Sequence, residues 1–230
     1  MTMTESRPRR LSAFSFLRQN PCAGLLLAQL LGILLYPWME RSPRGRAAFG
    51  VFGLLILTVA LRVVRRSPWL TWLGIALASL VVVLSAVHVI APHPALPIAI
   101  AMVASAFYFY ATGSLIAYML QDWEATTDEL FAAGATFTLL AWAFAHAYVA
   151  CQGILPGSFS AAANPQGPRT WLEMLFLSVA VLSSVGLSDV MPVTPMARAL
   201  VMLESFAGVM YMTLVVSRLI SLTVVRRDQM

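Results

Sequence analysis

Lysine is absent from this chain, and all fifteen of its cationic side chains are arginine. Acidic residues number only ten, and charged residues together make up 11% of the 230 positions. A soluble domain normally carries about 25% charged residues, because its surface faces water. So little charge cannot cover a water-facing surface of this size, so lipid must be the solvent for much of the chain. Cysteine is nearly missing as well, with Cys22 and Cys151 at the ends of different apolar runs. The topology derived below puts them on opposite membrane faces, roughly 30 Å apart, beyond the reach of one disulfide. Each is therefore expected to be packed as a thiol, and neither sits in a metal-ligand spacing. Catalytic constellations are also lacking. There is no phosphate-binding glycine loop, no His-x-x-x-His pair and no nucleophile with a base and an orienting partner, which argues against an enzyme.

What the chain does have is apolar length. Hydrophobic residues make up 60% of it, gathered into six segments: Pro21–Trp38, Ala47–Val64, Trp69–Ile90, Ala95–Leu120, Leu130–Ala150 and Ala197–Val225. Each approaches or exceeds the roughly 20 residues that cross a hydrocarbon core, and in lipid a single segment satisfies its own backbone only as a helix. Tyr36, Trp38, Trp69, Trp72 and Trp123 lie near segment ends, as interfacial aromatics do. The first run has no small-x-small cleavage site and is long enough to span, so it reads as a retained helix, not a secretory signal.

The arginines sit between apolar runs, not in one stripe, which suits membrane anchors better than nucleic-acid binding. With the N-terminus inside, ten arginines fall on the cytoplasmic side (7, 9, 10, 18, 62, 65, 66, 218, 226 and 227) and five outside (41, 44, 46, 169 and 198). That excess predicts both termini in the cytoplasm. The expected organisation is a cytoplasmic segment over 1–20, a four-helix transmembrane domain over 21–120, a cytoplasmic linker over 121–129, a fifth-to-sixth-helix domain over 130–225 and a tail over 226–230. The fourth segment, Ala95–Leu120, has no arginine, whereas a voltage sensor needs several at three-residue spacing.

One stretch breaks the spanning pattern. After a Gly/Pro/Ser-rich loop over Gln152–Pro168 comes an apolar run, Thr170–Ser183, too short to cross. Thr170 and Glu173 have the spacing of a capping box, which predicts a helix beginning there. Ser184-Val185-Gly186-Leu187-Ser188-Asp189 follows, then Pro192 and Pro195 before the last helix. Non-helical backbone at membrane depth is tolerated only when buried in protein or lining a water-filled path, which predicts a re-entrant loop.

From about Asp128 to Leu222 the sequence resembles the pore and inner helix of the potassium channel superfamily, closest to compact bacterial members that place four helices ahead of a two-helix pore. The resemblance implies an all-α membrane protein. Six transmembrane helices, with a re-entrant pore helix and filter loop between helices 5 and 6, would assemble as a homotetramer in a plasma membrane, the bacterial inner membrane. Family members carry Thr-Val-Gly-Tyr-Gly-Asp, whose carbonyls replace the ion's water shell; here Ser184, Val185, Gly186, Leu187, Ser188 and Asp189 stand at those positions. The implied cation sites are the carbonyls of Ser184, Val185, Gly186 and Leu187, for K+ or Na+, with K+ first. The implied partners are further copies of this chain, membrane lipids and monovalent cations, with no nucleic acid and no cofactor beyond the permeant ion.

Leu187 lacks the phenol that braces the family's filter, and Ser188 replaces a glycine that supports left-handed backbone, at a cost of roughly 1–2 kcal/mol if that geometry is kept. These departures predict weakened potassium selectivity. Cation preference stands on other ground: Asp189 at the outer mouth, the negative end of the pore helix, and no arginine within 178–189. Ser183 and Glu204 are expected to support the filter from behind, since an ionisable residue inside a spanning helix is usually paired or functional. Gly208 reads either as a hinge or as a point of close helix packing, and Arg198 as a partner for Asp189 or Glu173 or as a headgroup anchor. The alternative from another class is a non-conducting, channel-derived membrane scaffold or regulatory protein.

Overall fold

The computed structural model describes residues 20–40, 71–120 and 127–228, and Gly53, Ile56, Val59 and Ala60 between them. Six helices and one two-stranded sheet occur among the described residues. In chain order they are α1 (Pro21–Glu40), α2 (Thr71–Ile90), α3 (Ala95–Met119), α4 (Thr127–Ile154), β1 (Phe159–Ala161), α5 (Trp171–Leu182), β2 (Val190–Pro192) and α6 (Pro195–Asp228). All but α5 are long and apolar enough to cross a membrane. The expected second span, Ala47–Val64, lies mostly outside the described residues, as does the 121–126 part of the linker; Gly53, Ile56, Val59 and Ala60 are helical, and Ile56 and Ala60 are buried.

The centre of the bundle is α4, which packs against α1, α3, α5 and α6. Its sequence permits this crowding, because Ala132, Ala135, Ala141, Ala143, Ala145 and Ala150 are all buried. Small residues let helix backbones approach closely where lipid supplies no hydrophobic drive between helices. Larger side chains on the same helix, Leu139, Trp142 and Tyr148, fill the spaces between neighbours and are fully buried.

Polar contacts fix the directions of the helices. Asp128 Oδ1 accepts a hydrogen bond from the Cys22 N–H at 3.0 Å, serving one of the N–H groups that the first turn of α1 leaves without an intrahelical partner. The starts of α1 and α4 are therefore side by side. Glu129, also in the first turn of α4, pairs with Arg218 far along α6 at 3.8 Å, so α4 and α6 are antiparallel. The Ser105 hydroxyl donates to the Ala143 carbonyl at 2.9 Å, and Tyr108 stacks on His146 with ring centroids 5.5 Å apart, joining α3 to α4. Thr138 on α4 donates to Gln29 Oε1 of α1 at 2.6 Å.

An all-α chain was expected; the short hairpin is an addition to it. β1 and β2 pair antiparallel with Phe159 opposite Pro192 and Ala161 opposite Val190. The pairing continues through Val193 N–H to the Ser158 carbonyl at 2.8 Å. Because β1 follows α4 and β2 precedes α6, the chain leaves and rejoins the same end of the α4–α6 pair, here the hairpin end. At that end Thr194 caps α6 by accepting from Ala197 N–H at 3.3 Å, with Pro195 as the first helical residue.

The entry to α5 is pinned from α4. The Gln152 amide accepts from Arg169 N–H at 2.7 Å and donates to the Arg169 carbonyl at 3.0 Å. The Arg169 guanidinium is buried in the preceding loop, donating to the Gly167 carbonyl at 2.6 Å and to the Asn164 carbonyl. Replacing Gln152 by leucine removes both backbone bonds at once. We expect Gln152→Leu to lower stability by about 1–3 kcal/mol, measured by thermal unfolding in detergent; an unchanged midpoint would rule out this anchoring role.

Candidate functional site: the end of the short helix and the loop that follows

Helix α5 begins as the sequence predicts. Thr170 Oγ1 accepts from Glu173 N–H at 3.3 Å, and Glu173 Oε2 accepts from Thr170 N–H at 2.6 Å, completing the capping box. Trp171, in the first turn, packs into an aromatic cluster with Tyr36 of α1 and Trp142 and His146 of α4, at centroid distances of 5.3, 5.0 and 5.9 Å. Tyr108 of α3 joins the same cluster through His146. Helices α1 and α4 thus touch the start of the short helix directly, and α3 reaches it through His146.

The other end of α5 stops against the middle of α6. A Cβ placed on Gly208 would lie 2.5 Å from the Leu182 carbonyl oxygen and 2.9 Å from Leu182 Cα, both backbone atoms that cannot move aside. Gly208 is thirteen residues into α6, roughly 20 Å along its axis. Close approach alone accounts for glycine here.

Beyond Leu182 the chain forms a Schellman motif. Ser184 N–H bonds the Val181 carbonyl at 3.0 Å and Val185 N–H bonds the Ala180 carbonyl at 3.1 Å, the two bonds that define it. The residue at its left-handed position is normally glycine, but here it is Ser184, with φ 59°. The left-handed residues of the loop are therefore Ser184 and Gly186 (φ 68°), and not Ser188. The cost expected at Ser188 applied only if the family's left-handed geometry were kept there, and in this loop it is not kept. Its N–H bonds the Gly186 carbonyl at 3.1 Å and its hydroxyl accepts from Val190 N–H at 3.1 Å.

These bonds orient the carbonyls. Gly186 N–H also turns back to the Ala180 carbonyl, at 2.9 Å. In a trans peptide each C=O points opposite to the next residue's N–H. The carbonyls of Ser183, Ser184 and Val185 therefore point together away from α5. Two of the four carbonyls expected to face an ion, those of Ser184 and Val185, are in this set, and that of Ser183 joins them. The Gly186 carbonyl is instead occupied within the loop. The loop's apolar side chains are uncovered, Val185 at 69% and Leu187 at 71% exposure, and Asp189 is exposed beside them.

Glu204 is completely buried between α4, α5 and α6. The Tyr148 hydroxyl donates to its Oε2, and the Ser178 hydroxyl is shared between Glu204 Oε1 and the Ala141 carbonyl, 2.9 Å away. Ser183 was the expected partner, but it bonds the Val179 carbonyl within its own helix at 2.7 Å. Helical spacing explains the difference: Ser178 lies on the face of α5 that meets α6 there, five residues before Ser183. Tyr148 was not anticipated at all, since a tyrosine in an apolar run gives no signal of its partner. Arg198 meets neither carboxylate proposed for it. It donates to the Pro192 carbonyl at 3.4 Å, while Glu173 pairs with Arg169 at 3.4 Å.

Residues 129–225 match the sequence model of a family described as ion channel. The matched segment runs from the first turn of α4 to near the end of α6, and so contains the hairpin, α5 and the loop after it. It covers less than half of the chain, leaving α1 to α3 outside it. No curated protein and no solved structure matches the chain. An ion-channel-like region among five potential spans makes this a multi-pass membrane protein.

Two substitutions test this geometry. Tyr148→Phe takes a donor from a buried carboxyl and should cost about 1–3 kcal/mol in thermal unfolding. Ser184→Gly should instead raise stability, by up to about 1 kcal/mol. A lower melting point for the glycine variant would contradict the left-handed turn at Ser184.

Proposed function

We propose that four copies of this chain form a cation channel that conducts K+, with the segment from Ser183 to Asp189 of each copy meeting on the central axis. The observation that carries this reading is the outward set of carbonyls at Ser183, Ser184 and Val185, held at the end of a helix that stops halfway along α6. A chain that enters to mid-depth, turns and returns to the hairpin end is a re-entrant loop. Non-helical backbone at that depth must be covered by protein or line a water path. In a single subunit it is uncovered, as is much of α6, where Met202 and Phe206 are 66% and 67% exposed. Further copies packed about an axis would cover both at once.

Carbonyl oxygens can replace a cation's water shell. The negative end of α5 and the exposed Asp189 favour a positive ion at the same place. Glu204, Tyr148 and Ser178 support the loop from behind by fixing α5 between α4 and α6. The first four spans and a cytoplasmic location of both termini complete the proposed topology, in a bacterial inner membrane.

One observation favours a second reading, a non-conducting scaffold: the Gly186 carbonyl accepts from Ser188 N–H within its own loop and is not in the outward set. Reconstitution in liposomes separates the two. Potassium efflux above that of empty vesicles is expected, and efflux equal to theirs would end the channel reading. Of the four carbonyls expected to face an ion, only those of Ser184 and Val185 are in the outward set, which also predicts weak discrimination between K+ and Na+. Leu187→Tyr combined with Ser188→Gly should raise the K+/Na+ permeability ratio, measured as a shift in reversal potential; an unmoved ratio would refute the link between these two residues and selectivity.

A further inference from the structure

Asp128 and Glu129 are adjacent carboxylates at the end of the bundle opposite the hairpin, and both are buried, at 8% and 7% exposure. Burying charge is costly unless each group is paired. Both gain from the positive start of α4, yet each also reaches a different helix. Asp128 holds the first turn of α1 through Cys22 N–H at 3.0 Å. Glu129 holds α6 through Arg218 at 3.8 Å.

Over residues 212–218, beyond Tyr211, whose hydroxyl donates to the Ala133 carbonyl, α6 is loosely attached. Met212 and Val216 are 47% and 48% exposed. Thr213 and Ser217 spend their hydroxyls on carbonyls of their own helix, those of Val209 and Leu214, at 2.8 and 2.9 Å. Val215 packs partly against the core, and Arg218, three residues on, carries the ion pair. Arg218 Nε and Nη2 make no hydrogen bond, so the pair is a charge contact without a fixed fork geometry.

We propose that Glu129 and Arg218 are positioning residues that hold the far end of α6 against α4, and that Asp128 ties the same point to α1. This rests on the channel reading. There the uncovered face of α6 turns toward the axis and α4 lies behind it, so the pair draws the inner ends of the four α6 helices outward and keeps the path wide. Releasing it lets those ends converge. Movement of α1 is transmitted to the path through two neighbouring residues of one helical turn.

The test is a charge exchange read by two measurements. Potassium flux per reconstituted tetramer should fall about fivefold or more in Glu129→Gln and in Arg218→Gln. It should recover in part in the double variant Glu129→Arg with Arg218→Glu, which restores the pair but sets a cation at the positive start of α4, and be largely kept in Arg218→Lys. Spin labels on Val216→Cys should report a shorter distance between subunits in Glu129→Gln than in the parent. Unchanged flux and distance in the single variants, or a double variant no better than either single one, would overturn the proposal. If the parent itself passes no potassium, the channel reading fails. The distance measurement still decides this proposal, supporting it if the spacing shortens and overturning it if the spacing stays.

Discussion

A twelve-residue helix that ends in the middle of an apolar bundle leaves its last carbonyls with no water to bond. The rest of this structure answers that constraint. The carbonyls of Ala180 and Val181 take back N–H groups from the following turn. The Leu182 carbonyl is set against α6 at the one place where a glycine lets the backbones meet. Beyond these, the next three carbonyls face outward as a group, and that is the feature on which a function can be built. The left-handed turn that makes this possible falls on a serine, so the loop keeps some strain at its first residue.

Holding α5 at that depth needs fixed contacts at both ends and along its length. Gln152 and the Trp171 cluster fix its start, and Glu204, reached from α4 by Tyr148 and from α5 by Ser178, fixes its middle. All of these contacts but that of Trp171 with Tyr36 involve α4 or α6, the two long helices of the segment that matches an ion channel. The helices outside the match are not detached from it. Helix α1 meets α4 at its start through Asp128 and meets α5 near its end through Tyr36, so it spans the bundle as a strut with one foot at each end of the machinery.

Much of the architecture was legible in the linear chain because it depends on local chemistry. Low charge and long apolar runs predicted the five long helices described, and Thr170 with Glu173 predicted where the short helix starts. Hydropathy could not foretell the hairpin, because three residues such as Phe159-Ser160-Ala161 become a strand only when Val190–Pro192 is brought beside them. The strain expected at Ser188 was placed by analogy of position. Backbone dihedrals follow the hydrogen bonds available, and those put the left-handed turn four residues earlier.

The sequence alone, then, determined that this chain lies in a membrane, where its helices run, and that one short helix interrupts them, since each follows from hydrophobic length and from bonds between near neighbours. Only the tertiary structure decided which oxygens face outward, that Glu204 meets Tyr148 and Ser178, and that Arg218 reaches Glu129. Those pairings join residues 26 to 89 positions apart. They depend on how far each helix is rotated about its axis when packed, and no spacing along a single strand of residues encodes that rotation.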